Sequence, residues 1–394
     1  MRPPNIILVN CDDLGYGDCG CYGSCANHTP HIDRCAREGM RFTDFYMPSP
    51  LCSPSRGAMM TGCYPPRIGF GLFDGRGVLF PGQAVGLDQK ETTLGSLLKK
   101  AGYATKMVGK WHCGDQPAFL PDKHGFDDYY GLPYSNDMGR QATYPDRPPL
   151  PLLRNSEVIQ QQPDQAGLTE RYTEEACRFI RTHAHHPFFL YLAHMYVHLP
   201  IFLTDTFRRQ STNGAYGGAV ACIDWSLGVL MHELSELGLD RDTVLIFTSD
   251  NGSRARNEGG SNAPLRGHKG QTWEGGMRVP CIVRWPGTIP ANTVCRRLAT
   301  AMDFLPTFAR MAGTALPEYP RIDGKDISPL LSDPHAPSPH TAFFYYKKNT
   351  LEAVRQGKWK LHVRKDDEPL HALFDLENDA GEQHDLYATH PAIV

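Results

Sequence analysis

The sequence predicts an α/β fold: one large mixed, mostly parallel β-sheet sandwiched by helices, followed by a small C-terminal antiparallel sheet. Three observations carry this expectation. Nearly unbroken apolar runs at Asn5 to Asn10, Pro187 to Leu192 and Val244 to Ser249 mark strands buried on both faces. Stretches of helical periodicity lie between them, with Leu168, Tyr172, Ala176 and Ile180 at four-residue intervals and a longer helix over Ala219 to Leu237. Near the C-terminus, Ala342 to Tyr346, Leu351 to Arg355, Trp359 to Val363 and Leu373 to Asp375 are short runs split by turn residues. The expected division is a large domain over residues 1–335 and a C-terminal antiparallel subdomain over residues 340–394.

The first strand runs into Cys11-Asp12-Asp13. Two adjacent carboxylates at the exit of a buried strand sit where α/β folds place ligands, and their repulsion calls for a hard divalent cation. Asp-Asp alone would equally suit a solvated turn with an Asp cap. A second copy decides between the two, because the strand Val244 to Ser249 ends in Asp250-Asn251. Two strands that both end in paired oxygen donors make one metal site.

Cys19, Cys21, Cys25, His28 and His31 could bind zinc, but their spacing does not match the usual ligand pairs. The segment reads instead as a Gly-rich loop leading into a helix around Ile32 to Glu38. Cys52-Ser53-Pro54-Ser55-Arg56 then places a thiol, a rigid proline and a fixed cation within five residues. Pro54 suits the first turn of a helix running to Thr61, whose N-terminal amides would face an anion. Gly62 to Gly86 reads as loops walling a pocket. Thr92 caps a short helix to Ala101, and the strand Tyr103 to Val108 leads to Gly109-Lys110-Trp111-His112. On an extended segment Lys110 and His112 project to one side, a cation and an imidazole suited to an anionic substrate.

Gly125 to Asp137 is rich in aromatic residues and contains Ser135, and His194 and His198 follow the strand ending at Leu192. Lys269 lies in a Gly-rich loop, where backbone can approach a bound anion closely. Val279 to Trp285 closes the larger domain as a strand, and Pro317 to Pro339 reads as a linker with a turn at Ile322-Asp323-Gly324.

Cys-x-Pro-x-Arg followed by Thr61-Gly62 resembles the signature of the type I, formylglycine-dependent sulfatases of the alkaline phosphatase superfamily. The resemblance is greatest to the arylsulfatases and extends over nearly the whole chain. It implies oxidation of Cys52 to formylglycine by a maturation enzyme, with the hydrated aldehyde as nucleophile toward a sulfate ester. It implies further that Asp12, Asp13, Asp250 and Asn251 hold calcium, or magnesium, with the modified Cys52 as another ligand. Lys110, Ser135 and Lys269 would bind the sulfate oxygens, Arg56 would orient the diol, His112 would take its second proton, and His198 would lie on the leaving-group side. His268 before Lys269 departs modestly from the family pattern, and many relatives continue where this chain stops at Val394.

The resemblance leaves a phosphonate monoester or phosphodiester hydrolase of the same superfamily as the second reading. A non-catalytic sulfate binder with unmodified Cys52 is the third. The substrate class extends to sulfated small molecules, lipids and glycans. A net charge of -3 over 394 residues gives no footprint for nucleic acid. No apolar run suggests a membrane span or a secretion signal, and twelve irregularly spaced cysteines read as free thiols. These features favour a cytoplasmic location, with a secreted, periplasmic or lysosomal one left to a processed precursor.

Overall fold

The computed structural model describes residues 2–318 and 321–394; Met1, and Tyr319 and Pro320 inside the expected linker, lie outside the described residues. The strands are β1 (Asn5–Cys11), β2 (Met40–Phe42), β3 (Phe45–Tyr46), β4 (Ala104–Gly109), β5 (Asp128–Gly131), β6 (Pro151–Arg154), β7 (Glu157–Gln161), β8 (Phe188–Ala193), β9 (Thr243–Ser249), β10 (Cys281–Arg284), β11 (Thr293–Cys295), β12 (Ala299–Thr300) and β13 to β16 (Phe343–Lys347, Thr350–Gln356, Trp359–Lys365, Glu368–Asp375). The helices are α1 (Pro30–Arg37), α2 (Cys52–Thr61), α3 (Leu94–Lys100), α4 (Leu168–Thr182), α5 (Asp205–Arg209), α6 (Gly214–Glu236), α7 (Glu274–Met277), α8 (Phe304–Ala312) and α9 (Ser328–Ser332).

Ten strands form the main sheet in the order β11-β2-β10-β9-β1-β8-β4-β5-β6-β7. Its centre is parallel, with β1 between β8 and β9 and β4 beyond β8. Ile7 and Val9 of β1 pack into the apolar layer shared with α1, α4 and α6, whereas Ile6 and Leu8 pack into the layer shared with α2, α3 and α8. This two-sided burial is why the central strands carry no polar alternation. Strands β13 to β16 form the separate four-stranded antiparallel sheet.

Several local expectations are corrected. Thr93, not Thr92, caps α3, accepting from Ser96 N at 3.1 Å. Helix α2 begins at Cys52 itself, placing Pro54 in its first turn. The passage read as a linker contains α9, and its Ile322-Asp323-Gly324 turn is docked on the end of α2, where Asp323 N and Gly324 N donate to Gly62 O at 3.0 and 2.9 Å. The lone helix among the described residues long and apolar enough to cross a membrane is α6, and most of its apolar stretch is buried, with α4, α5 and α1 packed against the helix. Strands β5 to β7 on one side of the sheet and β11 at its other edge are not evident in the sequence because they are short and partly polar.

Candidate active site

The carboxyl ends of four adjacent parallel strands, β9, β1, β8 and β4, open on one point. From β1 come Asp12 and Asp13, from β9 Asp250 and Asn251, from β4 Lys110 and His112, and from the loop after β8 His198. Helix α2 points its N-terminus there and carries Cys52 on its first turn. Ligand atoms of Asp12, Asp13, Cys52 and Asp250 all lie within 4.8 Å of one another, and those of Asp12, Cys52 and His198 do likewise. The Cys52 thiol donates to Asp12 Oδ1 at 3.4 Å.

The chain reaches this arrangement through unusual backbone. Gly109 closes β4 with φ 105°, and a Cβ there would overlap the Ala193 carbonyl, to which Lys110 N donates at 2.8 Å. Asp13 and His112 hold left-handed φ of 61° and 60°, a cost sustained only where the surroundings fix the conformation. Lys110 and His112 therefore do not lie side by side on an extended segment, as their spacing suggested. Lys110 Nζ pairs with Asp12 and donates to Ser135 Oγ at 3.2 Å. His112 Nε2 meets Leu79 O at 3.0 Å, and Leu79 N in turn donates to Ser53 Oγ at 3.1 Å. A carbonyl can only accept, so Nε2 carries the ring proton, and the buried Nδ1, without a partner among the described residues, is a free lone pair. Burial, reinforced by Lys110, pushes His112 well below the ordinary imidazole value and keeps it neutral.

Three cations thread the carboxylates. Arg56 Nε donates to Asp250 Oδ2 at 2.8 Å and Nη1 to Lys110 O at 2.6 Å, while Nη2 stands 3.5 Å from Asp12 Oδ2 with no hydrogen-bond partner among the described residues. Lys269 Nζ lies 2.8 Å from the Asp13 carboxylate. Burial alone would raise the Asp12 carboxyl, but Lys110, His198 and Arg56 hold it well below the carboxylate range. Asp250 goes the other way, to about 6, through burial and repulsion from Asp12. Burial and the Asp12 charge also push the Cys52 thiol up, so the unmodified thiol is a poor nucleophile.

The donor set fits a hard cation. Three carboxylates converge, and the amide oxygen of Asn251 is buried without a partner among the described residues while its Nδ2 donates to Asp13 Oδ1 at 2.7 Å. Oxygen donors of this kind suit calcium or magnesium, and the single sulfur of Cys52 is the misfit among them. His198 Nδ1 meets Leu199 O at 2.6 Å, leaving Nε2 toward the site, 3.9 Å from Asp13 Oδ2. All eleven residues singled out in the sequence are thus buried or nearly buried around one centre.

Sequence reading missed the supporting residues. Ser55 Oγ bonds Asp250 O, and Asp18 Oδ1 accepts from Ser261 N at 2.8 Å while its Oδ2 accepts from Tyr216 OH at 2.5 Å. No local pattern reports contacts that span two hundred residues. Cys19 is buried in the turns before α1, Cys21 is half-buried with its N donating to Asp33 Oδ1 at 2.7 Å, and Cys25 is exposed.

The Sulfatase family profile matches residues 4–314, and that of the N-sulphoglucosamine sulphohydrolase C-terminal region matches residues 268–392. Arylsulfatase A of Bos taurus is 41% identical, with 98% of this chain and 83% of that protein covered. N-acetylgalactosamine-6-sulfatase of Rattus norvegicus is 42% identical, with 92% and 72% covered. The crystal structure of Ps i-CgsB in complex with k-i-k-neocarrahexaose superposes with a TM-score of 0.89 at 32% identity, covering 100% of this chain and 90% of that one. The expected cytoplasmic location is overturned by these relatives, since arylsulfatase A and N-acetylgalactosamine-6-sulfatase are lysosomal or secreted. With a family match over most of its length and strand ends that converge on Cys52, the chain belongs to the sulfatase family and is a sulfuric ester hydrolase.

Proposed function

We propose that the protein hydrolyses a sulfate monoester of a saccharide, using Cys52 matured to formylglycine by a dedicated enzyme. The observation that carries this reading is the convergence of Asp12, Asp13, Asp250 and Asn251 on Cys52, with Lys110, Lys269 and Arg56 interleaved. Oxygen in place of the Cys52 sulfur would complete a hard donor set, and a hydrated aldehyde supplies the nucleophile that a buried thiol of raised pKa cannot. Calcium or magnesium held by Asp12, Asp13, Asp250 and Asn251 would offset substrate charge as a Lewis acid.

The chain's own residues account for the remaining tasks. Lys110, fixed by Asp12 and Ser135, and Lys269, fixed by Asp13, present ammonium donors to sulfate oxygens, with Ser135 Oγ as a further contact. Arg56 holds Asp250 and the Lys110 carbonyl, and its unpartnered Nη2 is free to orient the nucleophile on residue 52. His112 Nδ1 is a lone pair with no other partner among the described residues, suited to accept a proton. His198 Nε2, turned toward the site by the Leu199 carbonyl on Nδ1, is placed to give a departing alcohol the proton it needs. The C-terminal sheet, assigned as a subdomain over residues 340–394, belongs to the same proposal as part of the entrance. Saccharide esters are favoured over aryl esters by the sugar substrate in one relative's name and the bound oligosaccharide in a neighbour's title.

Peptide mass spectrometry of residue 52, with turnover measured on a panel of sulfated sugars, lipids and phenols, tests the reading. Full activity with an unmodified thiol would end it, as would turnover confined to phenol sulfates.

A further inference from the structure

The hairpin of β13 and β14 turns through only two residues, Lys348 and Asn349, since Lys347 pairs directly with Thr350. This turn is docked on the loop that walls the active site. A Cβ on Gly71 would overlap Asn349 Oδ1 and stand 2.6 Å from Lys348 O, so the loop needs glycine to accept the hairpin. A Cβ on Gly77 would stand 2.7 Å from Leu51 Cδ1 and 3.8 Å from both Cγ and Cε of Lys348. Leu51 immediately precedes Cys52, and its other methyl lies 3.9 Å from where a Cβ on Gly270 would be, next to Lys269. Leu51, Gly77, Gly270 and Lys348 therefore share one rim, between the nucleophile and a sulfate-binding lysine on the inside and solvent on the outside.

Lys348 is exposed, and among the described residues no carboxylate pairs with it. Its neighbour Lys347 is paired with Asp366, and Lys365 lies 3.5 Å from Glu352. Lys348 also holds φ 55° at the first position of a two-residue hairpin loop, where glycine is the usual solution. A charged side chain kept at a strained turn position, with its stem along the rim and its ammonium free, has a use outside the fold.

We propose that Lys348 is a specificity residue that binds a second anionic group, a carboxylate or a further sulfate, on the alcohol portion of the substrate. Such a group leaves the sulfate pocket past the rim as the ester seats, so the preferred substrate is an acidic sulfated saccharide rather than a neutral one. The inference rests on the saccharide sulfatase reading.

The test uses the matured full chain and three probes: 4-nitrophenyl sulfate, N-acetylgalactosamine 6-sulfate, and the same sugar ester carrying an attached hexuronate. Lys348→Gly removes the cation while fitting the turn without strain, and Lys348→Arg keeps the charge. The wild type should favour the hexuronate-bearing probe, and Lys348→Gly should raise its KM about 2- to 5-fold with kcat unchanged, the range of an exposed ion pair. Neither of the other two probes should respond, Lys348→Arg should retain the preference, and raising salt should erase it in the wild type. Equal KM changes on all probes, or no wild-type preference for the acidic sugar, would overturn the rim assignment alone. Absence of turnover on all three probes by the matured wild type would overturn the saccharide sulfatase reading and the rim with it.

Discussion

Arg56 and Asp250 meet at 2.8 Å, Nε to Oδ2, each side chain at most 1% exposed, and this pair fastens the helix that carries Cys52 to the strand end that carries the carboxylates. The same guanidinium bonds the Lys110 carbonyl at 2.6 Å, so a single side chain sets the spacing of α2, β9 and the segment after β4. Removing it leaves a buried carboxylate uncompensated. Arg56→Met should lower unfolding free energy by about 3–5 kcal/mol and abolish turnover. Denaturant titration together with a 4-nitrophenyl sulfate assay checks both, and retained stability would mean the pair is not a structural tie.

The carboxylate cluster predicts how the metal-free protein responds to pH. Asp250 is raised to about 6 by burial and by Asp12, above its unfolded value, so the folded state binds more protons than the unfolded state between these limits. The share of metal-free stability that Asp250 contributes, read as the difference between the wild type and Asp250→Asn, should therefore fall as pH rises from about 4 to about 6. Asp12, held low by Lys110, His198 and Arg56, contributes in the opposite sense only at more acidic pH. Calcium or magnesium should abolish the decline. Melting temperatures of both proteins across this window, with chelator and with each ion, decide the point, and a flat metal-free difference would contradict it.

A proton donor matters most where the leaving oxygen is basic. His198→Ala should lose about 10²- to 10⁴-fold on a sugar sulfate and clearly less on 4-nitrophenyl sulfate. Burial and Lys269 lower the His198 pKa below the ordinary imidazole value. An acid is active only while protonated, so sugar sulfate turnover should be greatest at acidic pH and decline as pH rises through that lowered value. An equal loss on both esters would make His198 a binding residue and shift the search for the acid to Lys269.

The C-terminal sheet is joined to the large sheet by buried charge. Lys360 Nζ lies 2.9 Å from both Glu274 and Glu382, and Glu274 also accepts from Tyr345 OH at 2.8 Å. Glu274 opens α7, five residues after Lys269, so this junction also anchors the loop that carries Lys269, the lysine proposed to bind sulfate. Lys360→Met removes the cation both carboxylates share, leaving Glu274 to Arg278 and its two tyrosines and Glu382 to His362, and should cost about 3 kcal/mol of stability, with weaker substrate binding. Calorimetry and KM measurements check it, and an unchanged melting temperature would sink the idea.

Read alone, the sequence determined the central strands, the chemistry at their ends and the family. Doubly buried strands need unbroken apolar runs, and a metal site needs adjacent carboxylates, so Asn5 to Asn10 with Asp12-Asp13 and Val244 to Ser249 with Asp250-Asn251 are written locally. Only the tertiary structure decided how those residues face one another. The left-handed turn at His112, the Leu79 carbonyl that fixes its tautomer, and the Arg56–Asp250 tie join residues 33 to 194 positions apart. Side-chain direction at such sites follows from long-range packing and close backbone approach, as at Gly109 against Ala193, rather than from spacing along the chain. The rim at Lys348 is the same kind of fact, because it exists only when the C-terminal hairpin rests on Gly71 and Gly77.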